Sequence, residues 1–342
     1  MPIKIREGLT FDDVLLAPVG SSIYSRKNVD LTSRLFKETY IKTPIISANM
    51  DTVTEHLMAE TMNALGGLGI IHRFLSADKH LDQIKTLNGI RILTIGVKPE
   101  DLNLLEKALD HIDGVLIDVA HGHSDRVIKL INRIINDYDV PIIAGNVATY
   151  EGVRDLVWAG ADAIKVGVGP GSVCTTRIVT GCGVPQLTAI MDARRAIDQY
   201  HNPGSMPTLI ADGGIRTSGD IVKALAAGAD TVMIGSLFAG TDEAPGARLI
   251  GSDGKYYKTY RGMASKSAQL SIGVDRTAEG VEVATPYKGS VYPIFNELID
   301  GIKSGLSYLN CHSIAELKQA DIVMYRMSHA GHIESHPHAM KK

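Results

Sequence analysis

Apolar residues in this chain come in short runs that end in glycine or a polar residue, and apolar positions recur at helical spacing between the runs. The runs are Pro44–Ala48, Leu68–His72, Arg91–Val97, Gly114–Val119, Val140–Gly145, Ala161–Val166, Pro207–Ala211 and Thr231–Gly235. Each has the length of a strand and the near-continuous apolar character of a parallel strand buried on both faces. Helical spacing covers Thr54–Leu65, Ala77–Leu87, Pro99–Ile112, Ser124–Tyr138, Tyr150–Ala159, Leu187–Gln199 and Thr217–Ala227, with a weaker helix expected after the eighth run. Thr149 ahead of Glu151, and Thr217 and Ser218 ahead of Asp220, sit where a hydroxyl caps a helix start. Eight such units predict an α/β fold, a closed (β/α)8 TIM barrel, forming a single catalytic domain over residues 1–342.

A barrel places the residues just after each strand at one mouth, where barrel active sites lie. Those positions hold Asn49-Met50-Asp51, His72-Arg73, Asp118 with Ala120-His121-Gly122-His123, Asn146, the Gly167–Arg177 loop, Asp212-Gly213-Gly214 and Gly235-Ser236. The opposite turns, Gly66-Gly67, Ala159-Gly160 and Ala226-Ala227-Gly228, are small and bland. That asymmetry points to an enzyme. The loop after the sixth run carries one thiol, Cys174, among Gly167, Gly169 and Gly171 and close to Arg177. A partly exposed thiol near a cation ionises readily and serves as a nucleophile, although a free cysteine is also often a small core residue. The glycines after runs seven and eight suit a phosphate cradle of backbone N–H groups, or merely tight turns. Asp212 has the wrong charge for phosphate and suits a sugar hydroxyl.

Two regions break the rhythm. Residues 1–43 precede the first run and include the strand-like Thr10–Leu16. After the eighth run, Gly254–Lys258 resembles a hairpin, and the polar residues 264–285 are long enough to be a flap over the mouth, or a surface linker. Val291–Leu306 reads as a final amphipathic helix. The tail histidines His329, His332, His336 and His338, like the pair His121 and His123, match no zinc spacing.

Net charge is −3, which excludes nucleic-acid binding by bulk electrostatics. Three cysteines without paired spacing suit a reducing compartment, and no apolar run is long enough for a signal peptide or a membrane span. A cytoplasmic protein is expected, with no membrane partner.

The motifs GLTFDDVLLAP (8–18), SANMDTVTE (47–55), GIIHRF (69–74), DVAHGHS (118–124), AGNVAT (144–149), GVGPGSVCTTR (167–177), ADGGIRTSGDIVKALAAGAD (211–230) and YRGM (260–263) resemble the IMP dehydrogenase/GMP reductase family over nearly the whole chain. The resemblance implies a (β/α)8 barrel, usually a homotetramer, acting on a purine nucleotide (IMP or GMP) with NAD or NADPH and, in the dehydrogenases, potassium. It implies that Cys174 adds to C2 of the base. In one direction hydride leaves to NAD and water releases XMP; in the other GMP loses ammonia and NADPH delivers hydride to give IMP. It assigns Thr176 as catalytic, Glu279 as its helper, and Arg276 as the water-activating arginine or else a solvated loop charge. It implies substrate contacts at Ala48, Met50, Ser172, Asp212, Gly213, Gly214, Gly235, Ser236, Tyr260, Gly262 and Met263, and cofactor contacts at Asp118, Ala120, His121 and Gly167. Potassium ligands would be Gly169, Gly171 and Cys174, with Glu334, Ser335 and His336 coming from a neighbouring subunit.

The direction of reaction is read from departures. VAHGHS, GVPQ (183–186) and FAGTDEAPG (238–246) resemble bacterial dehydrogenases, and Lys266 stands where reductases carry a glutamate. A lysine is a cation at pH 7 and cannot act as a carboxylate. Against this, the two regulatory modules usual in dehydrogenases after the second strand are missing, the tyrosine partner of Arg276 is absent, and Arg276-x-x-Glu279-Gly280 resembles the reductases. IMP dehydrogenase is the first expectation and GMP reductase the second, followed by a weakly active nucleotide-binding homologue. A flavin-binding barrel would leave Cys174-Thr175-Thr176-Arg177 unexplained.

Overall fold

A computed structural model describes residues 3–199 and 206–337. Eight parallel strands form one sheet: Ile45–Ser47, Leu68–Gly69, Ile92–Ile95, Gly114–Asp118, Ile142–Val147, Ala163–Val166, Thr208–Asp212 and Thr231–Ile234. The first strand pairs with the eighth (Ile46 opposite Met233), which curls the sheet into the expected (β/α)8 barrel. The second and third strands share no ladder. Thr94 Oγ1 crosses that seam and donates to Ile71 O at 2.7 Å. Isoleucine, valine and leucine fill the interior, and most of those on the strands are wholly buried.

Strand ends matter more here than strand lengths. The second strand stops at Gly69, short of the expected His72, although Ile70, Ile71 and His72 stay buried. The fifth runs past Gly145 to Val147 with a register shift, and the seventh reaches Asp212. These extensions carry Asn146 and Asp212 to the rim.

Helices follow most strands at the expected places, with Thr149 and Thr217 accepting from the N–H groups of Gly152 and Asp220 as caps. No helix follows the eighth strand directly. Gly235 O accepts from Phe238 and Ala239 in a turn, and the chain then enters an antiparallel sheet of Leu249–Ile250, Tyr256–Arg261 and Glu282–Pro286. The eighth helical position is filled later by Val291–Tyr308, which packs on Ser218–Ala226. Gly301 and Gly305 permit that contact, since a Cβ at Gly305 would lie 2.6 Å from the Val222 side chain. Between the second strand and the helix Ala77–Thr86 there are only residues 70–76, with no inserted module. Val14–Leu16 pairs antiparallel with Met324–Arg326, so the two ends of the chain meet. Among the described residues no helix is long and apolar enough to cross a membrane.

Candidate active site

A cavity of about 280 Å³ opens at the C-terminal end of the strands. Its wall includes Ala48, Met50, Asp118, Ala120, Asn146, Lys165, Gly167, Gly169, Gly171, Cys174, Thr176, Asp212, Gly213, Tyr260, Gly262, Met263 and Glu279.

The thiol-bearing loop is held from below. Gly169 has φ of +86°, and a Cβ there would lie 2.4 Å from Arg177 Cγ, so only glycine fits. Arg177 donates to Val168 O at 3.3 Å and Val184 O at 2.6 Å. Burial lowers its pKa, and the nearby charge of Cys174 opposes that shift. The guanidinium near the thiol is also a staple for the loop. Cys174 is partly buried, and its thiol donates to Thr176 Oγ1 at 3.2 Å.

Part of the candidate flap lies directly on this loop. Thr175 N donates to Glu279 O at 3.0 Å and Val281 N to Val173 O at 2.9 Å. Gly280 is wedged between backbones: a Cβ there would meet Ser265 N and Val173 O at 3.2 Å and Gly262 Cα at 3.3 Å. Glu279 lines the cavity together with Cys174 and Thr176. Residues 264–285 are more ordered than their polar sequence suggests, with a helix at Lys266–Ser271 capped by Ser265. Arg276 is exposed and outside the cavity wall, its N–H donating to Gln269 Oε1 at 2.8 Å. Lys266 pairs with Asp275 at the surface.

On one wall, Tyr260 is buried and its hydroxyl lies 3.0 Å from Ser172 Oγ. Burial raises its pKa; Ser172 lowers it and the charge of Asp212 raises it, with a net rise that keeps the phenol protonated. Gly235 lies just behind: a Cβ there would sit 3.1 Å from Tyr260 Oη and 3.3 Å from Met50 Sδ. Gly213 and Gly214 have φ of +91° and +82°. The N–H groups of Ser236 and Leu237 meet no hydrogen-bond partner among the described residues, as an anion cradle requires. Ser236 and Gly214 lie behind the cavity wall, and Ser172 reaches it through Tyr260.

On the other wall, Arg73 Nε donates to Asp118 O at 3.1 Å and its guanidinium stacks on Phe74 at 4.4 Å. His121 is exposed and outside the wall, edge-on to His123, which bonds Asp155 at 2.8 Å. Between the walls, Asn146 Nδ2 donates to Gly167 O and Asp212 Oδ2, each at 2.8 Å, and Asn146 Oδ1 is buried without a partner among the described residues. Lys165, buried on the cavity floor, was not expected as a site residue. Its signal was a lone cation inside the apolar run Ala163-Ile164-Lys165-Val166. Glu334, Ser335 and His336 are exposed at the end of the short helix His329–Glu334, where His332 Nδ1 contacts Asp12 O, and they lie outside this cavity wall. His338 lies outside the described residues. Among the described residues no cluster of histidine, cysteine and carboxylate side chains suits a metal ion.

The model of the IMP dehydrogenase / GMP reductase domain matches residues 8–338. The chain belongs to the IMP dehydrogenase/GMP reductase family. It is 39% identical to the inosine-5′-monophosphate dehydrogenase of Borreliella burgdorferi, over 99% of this chain and 98% of the relative. It is 34% identical to the GMP reductase of Leishmania donovani, over 98% of each. That alignment spans 489 positions against 342 residues here, so the relative carries a long segment this chain lacks. Among solved structures, a cysteine-to-alanine variant of GMP reductase from Trypanosoma brucei in complex with guanosine 5′-monophosphate superposes with a TM-score of 0.92. It is 31% identical, over 98% of this chain and 99% of that one. The chain is an enzyme of this oxidoreductase family, with a purine-nucleotide substrate.

Proposed function

We propose that this member of the family is an IMP dehydrogenase, converting IMP, NAD and water to XMP and NADH through a covalent adduct at Cys174. The observation that carries the reading is the contact of the Cys174 thiol with Thr176 Oγ1 at 3.2 Å, inside a cavity that Glu279 also lines. The thiolate of Cys174 adds to C2 of the base. In this reading Thr176, beside the sulfur, takes the proton of the water that later releases XMP, with Glu279 as its helper. Tyr260, held protonated, donates a hydrogen bond to the substrate, and the N–H groups around Ser236 hold its phosphate. Asp212 accepts from ribose hydroxyls. Lys266 favours this direction, because Asp275 engages it as a surface cation where a reductase would need an acid.

The dinucleotide, when bound, supplies the hydride acceptor. The residues fit such a group: Asp118 offers a carboxylate, and the buried Asn146 Oδ1 lacks a donor among the described residues. The carbonyl groups of Gly169, Gly171 and Cys174 are the oxygen donors a potassium ion takes. Glu334, Ser335 and His336 would complete that site from a neighbouring copy in a homotetramer. The free thiols of Cys174, Cys182 and Cys311 suit a cytoplasmic setting.

GMP reductase is the second reading. The exposed position of Arg276 favours it, because a dehydrogenase would use an arginine of the flap to activate water. The test is a pair of assays at 340 nm. Absorbance rising with IMP and NAD supports the dehydrogenase, and absorbance falling with GMP and NADPH supports the reductase. Silence in both, with nucleotide binding intact, marks a nucleotide-binding homologue. Turnover that rises with potassium supports the shared cation site, and turnover indifferent to potassium removes it.

A further inference from the structure

The floor of the cavity is a buried ammonium group. The Lys165 side chain is 4% exposed and lies 2.6 Å from Asp212 Oδ2 and 3.1 Å from Asp118 Oδ1. A buried charge costs several kcal/mol unless it is paired and hydrogen-bonded. Burial alone would lower the lysine pKa, but the two carboxylates outweigh it and hold the pKa above its ordinary value. Gly145, opposite Lys165 on the next strand, makes room for it, since a Cβ there would fall 2.7 Å from Lys165 Cβ.

The carboxylates belong to opposite walls. Asp118 ends the fourth strand and Asp212 the seventh. Each gives one oxygen to Lys165, and Asn146 shares the Asp212 oxygen. The other oxygens, Asp118 Oδ2 and Asp212 Oδ1, make no hydrogen bond among the described residues. An ionised carboxylate with one oxygen fixed and one free is a strong acceptor for a sugar hydroxyl. Two ribose-bearing ligands would therefore meet acceptors oriented by a single cation.

Resting on the function proposed above, we propose that Lys165 is a positioning residue that ties these carboxylates together, so that the nucleotide at Asp212 and the dinucleotide at Asp118 bind cooperatively. Lys165 sets the Asp118–Lys165–Asp212 geometry in the free protein, and the first ligand's hydrogen bond to one carboxylate tightens it. The second then meets an ordered acceptor and loses less freedom on binding, which makes the coupling positive.

The test uses the full chain carrying Cys174→Ala, which prevents turnover. IMP is titrated by calorimetry with and without saturating NAD, and GMP with and without NADPH. The parent should bind the nucleotide about fivefold or more tightly when the dinucleotide is present. Lys165→Met should bring that factor to about one, and Lys165→Arg, which keeps the cation, should restore most of it. Asp118→Asn should weaken nucleotide binding measured with no dinucleotide present, by about threefold or more, although Asp118 lies on the dinucleotide wall. A folded Lys165→Met protein with undiminished coupling would overturn the proposal. If Lys165→Met does not fold, Asp118→Asn decides alone: unchanged nucleotide affinity rejects the linkage. A parent that binds both ligands without coupling also rejects the linkage and leaves the function standing. A parent that binds neither nucleotide removes the functional reading, and this inference with it.

Discussion

Asp162 and Asp230, shielded at the N-terminal end of the barrel strands, use their oxygens differently from Asp118 and Asp212 at the mouth, while the exposed Asp113 accepts from Arg91 N through one oxygen. Asp162 accepts from Ile142 N at 2.8 Å and faces Lys37 at 3.9 Å. Asp230 accepts from Leu209 N at 2.7 Å and pairs with Lys318. Both oxygens of each are engaged, and each carboxylate ties one strand to its neighbour. At the mouth, Asp118 and Asp212 each give one oxygen to Lys165 and keep one free. The same residue type, similarly shielded, is a clasp at one end and an acceptor in waiting at the other. Among these four shielded carboxylates, the unengaged oxygen sets the pair at the mouth apart from the pair of clasps.

Substitutions should divide along that line. Cys174→Ala, at the mouth, should lower turnover by at least about a thousandfold while the protein still binds nucleotide, as steady-state kinetics and calorimetry would show together. Turnover near that of the parent would take Cys174 out of the chemistry. Asp212→Asn should weaken nucleotide binding about tenfold to a hundredfold, and it should also lower the urea midpoint, because it leaves the buried Lys165 with Asp118 as its one carboxylate partner. Asp230→Ala should lower stability alone. It strands the buried N–H of Leu209 and the ammonium of Lys318, lowering stability by about 2–4 kcal/mol while leaving the KM of the folded fraction unchanged. An Asp230 variant that loses affinity without losing stability would erase the contrast between the two ends.

A smaller effect belongs to neither end. His80 is fully buried in the helix Ala77–Thr86, and neither ring nitrogen has a partner among the described residues. Burial, helped by the nearby His72, pushes its pKa down to about 4. The folded state therefore resists a proton that the unfolded chain accepts near 6.5. Its contribution to stability is intact above pH 6.5 and falls by up to about 3 kcal/mol as pH drops toward 4. Urea melts of His80→Leu should show a flatter pH dependence over that window and unchanged activity at pH 7.

The barrel was legible because eight strands bounded by glycine and seven helices are local patterns, and the cysteine loop was legible because its glycines and thiol are contiguous. What escaped depends on groups far apart in the chain. The expected eighth helix is a turn, and Val291–Tyr308 takes its position after an intervening sheet. The pairing of Val14–Leu16 with Met324–Arg326 leaves no trace in either segment alone. Lys165 looked like a strand residue because its partners, Asp118 and Asp212, come from other strands. Arg177 shows the converse: its closeness to Cys174 was legible, but its second task, donating to Val168 O and Val184 O, was not.

Mass spectrometry of the acid-quenched enzyme during turnover tests the covalent step at residue 174 most directly. With IMP and NAD, peptide mapping should find the nucleotide attached to the Cys174 peptide and to neither Cys182 nor Cys311. Steady turnover with Cys174 unmodified throughout, and no adduct trapped at any quench time, would contradict the account.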